Sequence, residues 1–191
     1  GEVFLDGRKL TIRSPRDAVR AGIALVPEER RREGVFVDDS VAANLTAVSL
    51  DPYVTGGWRV SAAKVKETAR KWIERLGIKT PDEQAKVRNL SGGNQQKVAI
   101  GKWLLTDAEV YLFDEPTKGV DVGAKREIYE LIAALAERGK CVLYASGELA
   151  EIAGLADRAY VMYDGAVVKE LDMRNADEDQ LLLYSTGGGL A

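Results

Sequence analysis

Histidine is missing from this 191-residue sequence, and cysteine occurs only once, as Cys141. Without histidine the chain lacks the commonest general base and metal ligand, so any catalysis must use carboxylates, hydroxyls, lysine or the single thiol. One cysteine cannot form a disulfide within the chain. Because Cys141 lies in an apolar stretch, we expect it to be a buried strand thiol.

Long hydrophobic runs and a strong excess of one charge are also missing. No apolar run approaches the roughly 18 residues that a membrane span needs, and the N-terminus has no signal-peptide pattern. The net charge is −3 and the pI is near 5.3, which argues against nucleic-acid binding through a basic face. We therefore expect a cytosolic protein of one domain, or of one domain with a small insert, and no nucleic-acid partner.

The second half of the sequence alternates predicted strands and helices. Strands are predicted at 109–116 and 141–146, a hairpin at 158–171, and helices at 123–138, 148–156 and 177–186. Alternation of this kind favours an α/β fold with a largely parallel core sheet. We expect that sheet to form the centre of the molecule.

The first half combines short strands, a charged loop and a mostly helical segment. Strands are predicted within 1–10 and 23–27, a solvated charged turn at 28–34, and helices at 40–50, 61–76 and from Ser91 to about Leu105. The helical part has the pattern of an insert between the early strands and the later sheet. The sequence therefore predicts three divisions, 1–39, 40–105 and 106–191.

Two acidic residues follow the apolar strand "VYLF". In open α/β sheets ligands bind at the carboxyl ends of the strands, where Asp114 and Glu115 are expected to lie. Asp114 there suits a divalent metal, and Glu115, on the other side of the pleat, suits polarisation of an attacking water. The residues alone leave a second interpretation open, a helix N-cap aspartate followed by a solvated glutamate.

The stretch "LSGGNQQK", residues 90–97, places Ser-Gly-Gly at the start of a helix. Ser91 offers a hydroxyl, while Gly92 and Gly93 let the backbone approach a ligand. Free N–H groups and the helix dipole favour an anion at this position, which points to phosphate chemistry. The alternative is that both glycines serve tight packing.

Together the two motifs resemble those of ABC-type ATPases. "LSGGNQQK" is similar to their signature motif, and "VYLFDEPTKGVD", about two dozen residues further on, is similar to the Walker B strand and D-loop. The sequences "SGGNQQKV" and "DEPTKGVDVGAKREIY" together resemble those of the ATP-binding subunits of bacterial ribose-, galactose- and xylose-type sugar importers. Those subunits carry two ATPase halves in one chain. "VPEERRREG" and "ASGELAEI" resemble the second half. The resemblance covers essentially the whole chain and implies a P-loop NTPase-like core with a helical subdomain.

The resemblance also implies a role for each matching residue. In the family, the signature residues contact the γ-phosphate of an ATP held by the opposing half, and here they are Ser91, Gly92, Gly93 and Asn94. Asp114 is implied to serve the Mg²⁺ shell and Glu115 to be the catalytic base. Asp121 is implied to lie in the D-loop, at the seam between the two halves. ATP and Mg²⁺ are therefore the expected cofactors of the intact assembly.

Three departures from the family pattern affect the expected activity. Glu28 stands at the Q-loop position, where glutamine is usual, and Gly147 stands at the position of the switch histidine. The motif G-x-x-x-x-G-K-[ST], whose backbone and lysine cradle phosphates, does not occur in the sequence. In this family it precedes the strand "GEVFLDG", so we expect it upstream of Gly1 and expect the chain alone to be inactive.

The implied function is that of an ATP-binding and ATP-hydrolysing component of a monosaccharide importer. The implied partners are the other nucleotide-binding half, the membrane permease and, indirectly, a substrate-binding protein, at the cytoplasmic face of the membrane. Two alternatives stay open from the sequence: a nucleoside importer, and a non-catalytic module that completes the ATP site of a partner. The signature motif has the residues typical of sugar importers, which disfavours a soluble ABC ATPase of repair or translation.

Overall fold

The chain divides into two packed units, the first Gly1–Leu143 and the second beginning at Tyr144. A computed structural model describes residues 1–189. The first unit contains β1 (Val3–Leu5), β2 (Arg8–Leu10), α1 (Pro15–Arg20), β3 (Ile23–Val26), α2 (Val41–Thr46), β4 (Val54–Thr55), β5 (Arg59–Val60), α3 (Ala62–Arg75), α4 (Gly92–Leu104), β6 (Val110–Asp114) and α5 (Val122–Glu137). Strand β7 (Cys141–Ala145) ends the first unit and begins the second.

The second unit continues with α6 (Leu149–Leu155), β8 (Arg158–Tyr163), β9 (Ala166–Asp172) and α7 (Glu178–Ser185). Strands β8 and β9 pair in antiparallel fashion around Asp164 and Gly165, whose φ angles are 46° and 76°. Two successive left-handed residues suit a tight hairpin turn, and the predicted hairpin is confirmed.

The central sheet of the first unit has the strand order β3-β6-β7. Strands β3 and β6 are parallel, in a register that runs from Ile23 opposite Val110 to Val26 opposite Phe113. Their carboxyl ends therefore meet at one edge of the sheet, so that the chain leaves β3 towards Glu28 beside the place where Asp114 ends β6. The predicted α/β fold with a parallel core is confirmed.

A helical core holds the long signature helix α4 in place. Helix α2 packs against both α3 and α4. The core includes Val41, Leu45, Ala69 and Val98, each of which is fully buried. A Cβ added at Gly101 would lie 2.6 Å from a methyl of Leu76 and 2.8 Å from one of Leu45, so α4 approaches its neighbours too closely for a larger residue. This fixed helix carries the candidate site at its N-terminal end.

Several local predictions differ from the structure. Cys141 is exposed rather than buried, because it begins a strand at the edge of the three-stranded sheet. The predicted loop at 51–58 contains a short turn and most of the small β4–β5 hairpin. The predicted charged turn at 28–34 contains a π-helical turn, Arg30–Gly34, whose arginines make specific contacts described below. Among residues 1–189, no helix is both long enough and apolar enough to cross a membrane.

Candidate functional site

The N-terminus of α4 is capped by Ser91. Its Oγ accepts hydrogen bonds from the backbone N–H of Asn94, at 3.4 Å, and from the side-chain Nδ2 of Asn94, at 2.8 Å. A serine with an extended backbone three residues before its donor is a standard helix cap, which explains why the helix begins here. Ser91 remains exposed, so its hydroxyl is accessible to a ligand.

Gly92 and Gly93 are both closely packed. A Cβ on Gly93 would lie 2.5 Å from the Cβ of Ala124 in α5, and a Cβ on Gly92 would lie 2.9 Å from Nη2 of Arg30 and 3.3 Å from the carbonyl oxygen of Gly119. Packing therefore requires glycine at position 93, and at position 92 a side chain would have to displace the end of the Arg30 side chain. Both findings agree with the alternative that the sequence left open. Tight packing brings the signature segment against the start of α5 and the turn after β6.

A cleft of about 180 Å³ adjoins the start of α4. It is lined by Lys79, Ser91, Gly93, Asn94, Lys97, Asp121, Gly123, Ala124 and Glu127. The predicted D-loop residue Asp121 caps α5, with its Oδ1 accepting from the N–H of Ala124 at 3.0 Å. The structure thus brings Ser91, Gly93, Asn94 and Asp121 together at one cleft.

The loop after α3 is fastened to α4 on the same side. The backbone N–H of Lys79 donates to Oδ1 of Asn94 at 2.7 Å, and Nζ of Lys97 donates to the carbonyl of Gly77 at 2.9 Å. Lys97 is almost fully buried and also pairs with Glu127 of α5. Sequence reasoning missed this connection, because the partners lie on different elements and no local pattern links them.

Gln95 is a second residue that the sequence reading missed. Its side chain is completely buried, and its Nε2 donates to the carbonyl of Leu90 at 2.9 Å. Its Oε1 accepts from Nε of Arg31 at 3.1 Å. Gln95 therefore links the start of α4 to the segment that follows the Q-loop position. The only sequence signal for this role was the glutamine directly after "SGGN", at a position that the helix buries.

Asp114 and Glu115 occupy the expected edge of the sheet but differ in conformation. Asp114 is the last residue of β6 and is exposed. Glu115 follows the strand with φ at 43°, in the left-handed region, and its carbonyl accepts from the N–H of Lys118 at 3.1 Å. Because Glu115 lies beyond the strand, the pleat does not set its direction as the sequence reading assumed. A non-glycine residue in this conformation is strained, a feature that clusters at functional sites.

Arg30 connects the Q-loop segment to the turn after β6. Its Nη1 donates to the carbonyl of Lys118 at 2.8 Å and its Nη2 to that of Gly119 at 3.2 Å. Burial lowers the pKa of the Arg30 guanidinium below its ordinary value, and its Nε is buried without a hydrogen-bond partner among residues 1–189. Arg30 is therefore a structural connector rather than part of a solvated turn.

The Q-loop position is also occupied by an ion pair. The carboxylate of Glu28 lies 2.5 Å from Nζ of Lys118, and this contact raises the pKa of Lys118 above its ordinary value. Both side chains keep substantial exposure, so solvent screens the pair and it adds little to stability. The ion pair fixes the position of the Glu28 side chain, which is directed to Lys118.

Gly147, at the switch position, lies in the second unit beside a buried carboxylate. Ser146 Oγ donates to Glu151 at 2.9 Å and accepts from the N–H of Glu148 at 3.0 Å. The hydroxyl of Tyr144 also donates to Glu151, which is 6% exposed. The Glu151 carboxylate therefore holds Tyr144 and Ser146, which precede Gly147, and Ser146 in turn holds Glu148, which follows it. No sequence pattern indicated this role.

The carboxyl end of β6 fits a magnesium ion only if water and substrate phosphates complete its coordination shell. Residues 1–189 contain no group of three acidic, cysteine or histidine side chains that would hold a metal by itself. Mg²⁺ is usually bound by one or two carboxylates and otherwise by water and substrate phosphates. The single exposed carboxylate of Asp114, at the end of a parallel strand, satisfies that requirement.

Arg30→Met is expected to lower the free energy of unfolding by about 1–3 kcal/mol, because two backbone carbonyls lose a charged hydrogen-bond donor. Arg32→Met is the matched control, since Arg32 is exposed in the same turn, and it should change stability by less than about 0.5 kcal/mol. Urea unfolding of both variants measures the difference. Equal effects would show that Arg30 is no more than a surface residue.

Comparison with known proteins places this site in a family. The family model described as "ABC transporter" matches residues 1–118. The chain belongs to the ABC transporter family.

Among curated proteins, the chain is 50% identical over 187 residues to the ribose import ATP-binding protein of Pseudomonas putida, with 98% of this chain and 36% of that protein covered. It is 43% identical to the ribose import ATP-binding protein of Oceanobacillus iheyensis, with coverage of 98% and 38%, and 48% identical to the arabinose import ATP-binding protein of Yersinia pestis, with coverage of 95% and 35%. The predicted resemblance to sugar-importer ATP-binding subunits is confirmed. The chain spans little more than a third of the length of these relatives.

Solved structures support the fold alone, because their sequence identity is low. A nucleotide-free ATP-binding cassette of an ABC transporter aligns with a TM-score of 0.77 at 23% identity, covering 96% of this chain and 73% of that one. A dimeric cassette bound to ADP and Pi aligns with a TM-score of 0.74 at 23% identity, covering 92% and 75%. The ABC-type fold is thereby confirmed.

Proposed function

We propose that this chain is part of an ATP-hydrolysing component of an ABC importer for a monosaccharide. The observation that carries the proposal is the exposed Ser91 hydroxyl at the mouth of α4, beside a cleft that Gly93 and Asp121 also line. A helix N-terminus with an accessible hydroxyl favours a phosphate group. The names of the relatives, which import ribose or arabinose, support a monosaccharide as the transported substrate.

In this proposal the signature segment acts on a nucleotide held by the opposing half. Ser91, Gly92, Gly93 and Asn94 form one wall of that composite site. Phosphoryl transfer gains mainly from positioning and from stabilisation of charge, and a hydroxyl with oriented N–H groups supplies part of both. The close packing of both glycines against Arg30, Gly119 and Ala124 keeps this wall rigid.

Asp114 at the end of β6 and Glu115 directly after it serve the chain's own side of the ATPase. Asp114 would hold Mg²⁺, which supplies charge neutralisation at the phosphates when bound. Glu115 is the general base that orients and deprotonates the attacking water. The left-handed conformation of Glu115 fixes its backbone at the turn that Lys118 closes.

The proposal includes the partners and the location. The chain pairs with another nucleotide-binding half, with Asp121 at the interface between the two halves. It also binds a membrane permease and, through the permease, is coupled indirectly to a substrate-binding protein. Segment 28–90 docks on the permease, which places the protein peripherally at the cytoplasmic face of the membrane. We retain the three divisions 1–39, 40–105 and 106–191 as the proposed functional subdivision.

The test uses a chimera in which residues 1–191 replace the matching segment of the Pseudomonas putida ribose import ATP-binding protein. Because 98% of the chain aligns with that relative but covers only 36% of it, the chimera supplies the rest of the relative's sequence. We expect Mg-ATP hydrolysis by the purified chimera and ribose uptake in cells that lack their own ATP-binding subunit. A folded chimera that neither hydrolyses ATP nor restores uptake would contradict the proposal.

A second candidate is a non-catalytic module that only completes the partner's site. The ion pair of Glu28 with Lys118 favours it, because the side chain at the Q-loop position is already engaged. Glu115→Gln separates the two candidates. If Glu115 is a base, turnover in the chimera falls by at least about 10-fold, whereas an unchanged turnover favours the non-catalytic module.

A further inference from the structure

The side chain of Asn94 is held at both ends within the chain. Its Oδ1 accepts from the backbone N–H of Lys79 at 2.7 Å, and its Nδ2 donates to Oγ of Ser91 at 2.8 Å. A backbone N–H can only donate, so the atom that faces Lys79 must be the amide oxygen. The amide nitrogen then necessarily faces Ser91.

This arrangement determines the direction of the Ser91 hydroxyl. Ser91 Oγ has two lone pairs and one hydrogen, and both neighbouring groups, the N–H and the Nδ2 of Asn94, can only donate to it. The two donors occupy both lone pairs. The hydroxyl hydrogen therefore points away from Asn94, and within the described part of the chain it is donated to no acceptor.

We propose that Asn94 is a positioning residue that presets the exposed Ser91 hydroxyl as a hydrogen-bond donor to an anionic phosphate oxygen. The inference rests on the proposed function, which supplies the phosphate. It assigns Asn94 an indirect role, acting through Ser91, in place of the direct phosphate contact that the family resemblance implies. The N–H of Lys79, on the loop after α3, fixes the amide orientation on which the arrangement depends.

A Ser91 hydroxyl whose direction is fixed beforehand avoids the free-energy cost of reorienting when a phosphate binds. An unconstrained serine hydroxyl rotates between donor and acceptor arrangements, and a phosphate must select one of them. With both lone pairs already occupied, Ser91 meets the phosphate without reorganising, and catalysis benefits most from dipoles that are oriented beforehand.

The decisive variant is Asn94→Asp. An aspartate keeps the shape of asparagine and retains an oxygen for the N–H of Lys79, but its second oxygen accepts the Ser91 hydroxyl and turns the hydrogen inward. The helix dipole also stabilises a negative charge in the first turn of α4. We therefore expect the melting temperature to stay constant or rise while turnover of the chimera falls about 100-fold, the cost of one lost donor.

Controls separate hydroxyl direction from charge and from capping. Asn89→Asp adds the same charge on an exposed side chain two residues before Ser91, and Ser61→Ala removes an N-cap of α3 that likewise accepts from a backbone N–H. Both residues lie in the segment proposed to dock on the permease, so turnover is measured on the purified chimera without a permease. Each variant should change that turnover by less than about threefold, because neither alters the donor at Ser91. Equal losses for Asn89→Asp and Asn94→Asp would overturn the inference.

A double-mutant cycle distinguishes an indirect role from a direct one. Ser91→Ala should lower turnover about 100-fold, and adding Asn94→Asp to it should cause little further loss, since Asn94 acts only through the hydroxyl. Additive losses would contradict the inference and leave the proposed function intact. An unchanged turnover in Ser91→Ala would contradict the proposed function itself.

A spectroscopic measurement tests the geometry without ATP. In ¹H–¹⁵N spectra of the 191-residue chain, one Nδ2 hydrogen of Asn94 should exchange slowly with solvent, because it is bonded to Ser91 Oγ. Ser91→Ala should remove that protection and Ser61→Ala should not. Rapid exchange of both hydrogens in the unaltered chain would overturn the inference regardless of any activity result.

Discussion

Ser91→Arg is expected to lower Mg-ATP turnover of the chimera by about 100-fold or more. The substitution removes the hydroxyl donor and places a long side chain in the cleft of about 180 Å³ where a phosphate is proposed to bind. Turnover and ATP affinity of the purified chimera measure the effect. ATP affinity at the opposing half should fall less than turnover, because most contacts with that nucleotide come from the half that holds it.

The matched control for this prediction is Ser61→Arg. Ser61 caps α3 in the same unit and accepts from Lys64 N–H at 3.4 Å, so the control reproduces the loss of a cap and the added charge. It should leave turnover within about threefold of the unaltered chimera. If Ser61→Arg and Ser91→Arg were equally harmful, a general loss of helix stability would explain both.

Gly93→Ala is expected to lower the free energy of unfolding by about 1–3 kcal/mol and to abolish most of the turnover. The added methyl would lie 2.5 Å from the Cβ of Ala124, a distance that forces α4 and α5 apart. Separation of the helices displaces Ser91 from Asp121, so the proposed composite site loses its geometry. Urea unfolding and turnover of the same preparations test both consequences.

Gly154→Ala is the control for the effect of alanine itself. Gly154 lies in α6, where an added Cβ meets no atom within 4 Å. Alanine is favoured over glycine in a helix by about 1 kcal/mol, so this variant should be neutral or stabilised. A neutral Gly93→Ala would show that the contact between α4 and α5 is looser than the structure indicates.

The sequence predicted those features that depend on local pattern. Ser91 could be placed at the start of a helix because the signals for a helix start lie within one turn of the chain. Asp114 could be placed at a strand end because the apolar run before it is unbroken, and parallel pairing then set the edge of the sheet. The sheet and the hairpin around Asp164 followed from similar local signals.

Contacts between distant elements could not be predicted in the same way. Arg30 and the carbonyl of Lys118 are 88 positions apart, and nothing in a charged run such as "EERRREG" distinguishes a connector from a solvated side chain. The bond between Lys79 and Asn94 likewise depends on how α3 and α4 pack. Glu115 was misplaced on the pleat because its left-handed conformation belongs to the turn rather than to the strand.

The central claim is that the signature segment completes a nucleotide site held on another half. The most direct measurement is sedimentation velocity of the 191-residue chain mixed with the first nucleotide-binding half of the Pseudomonas putida relative, with and without Mg-ATP under conditions that prevent hydrolysis. The account predicts a complex that forms only with ATP and is lost in Ser91→Arg. An association that is independent of ATP, or one that Ser91→Arg leaves unchanged, would contradict it.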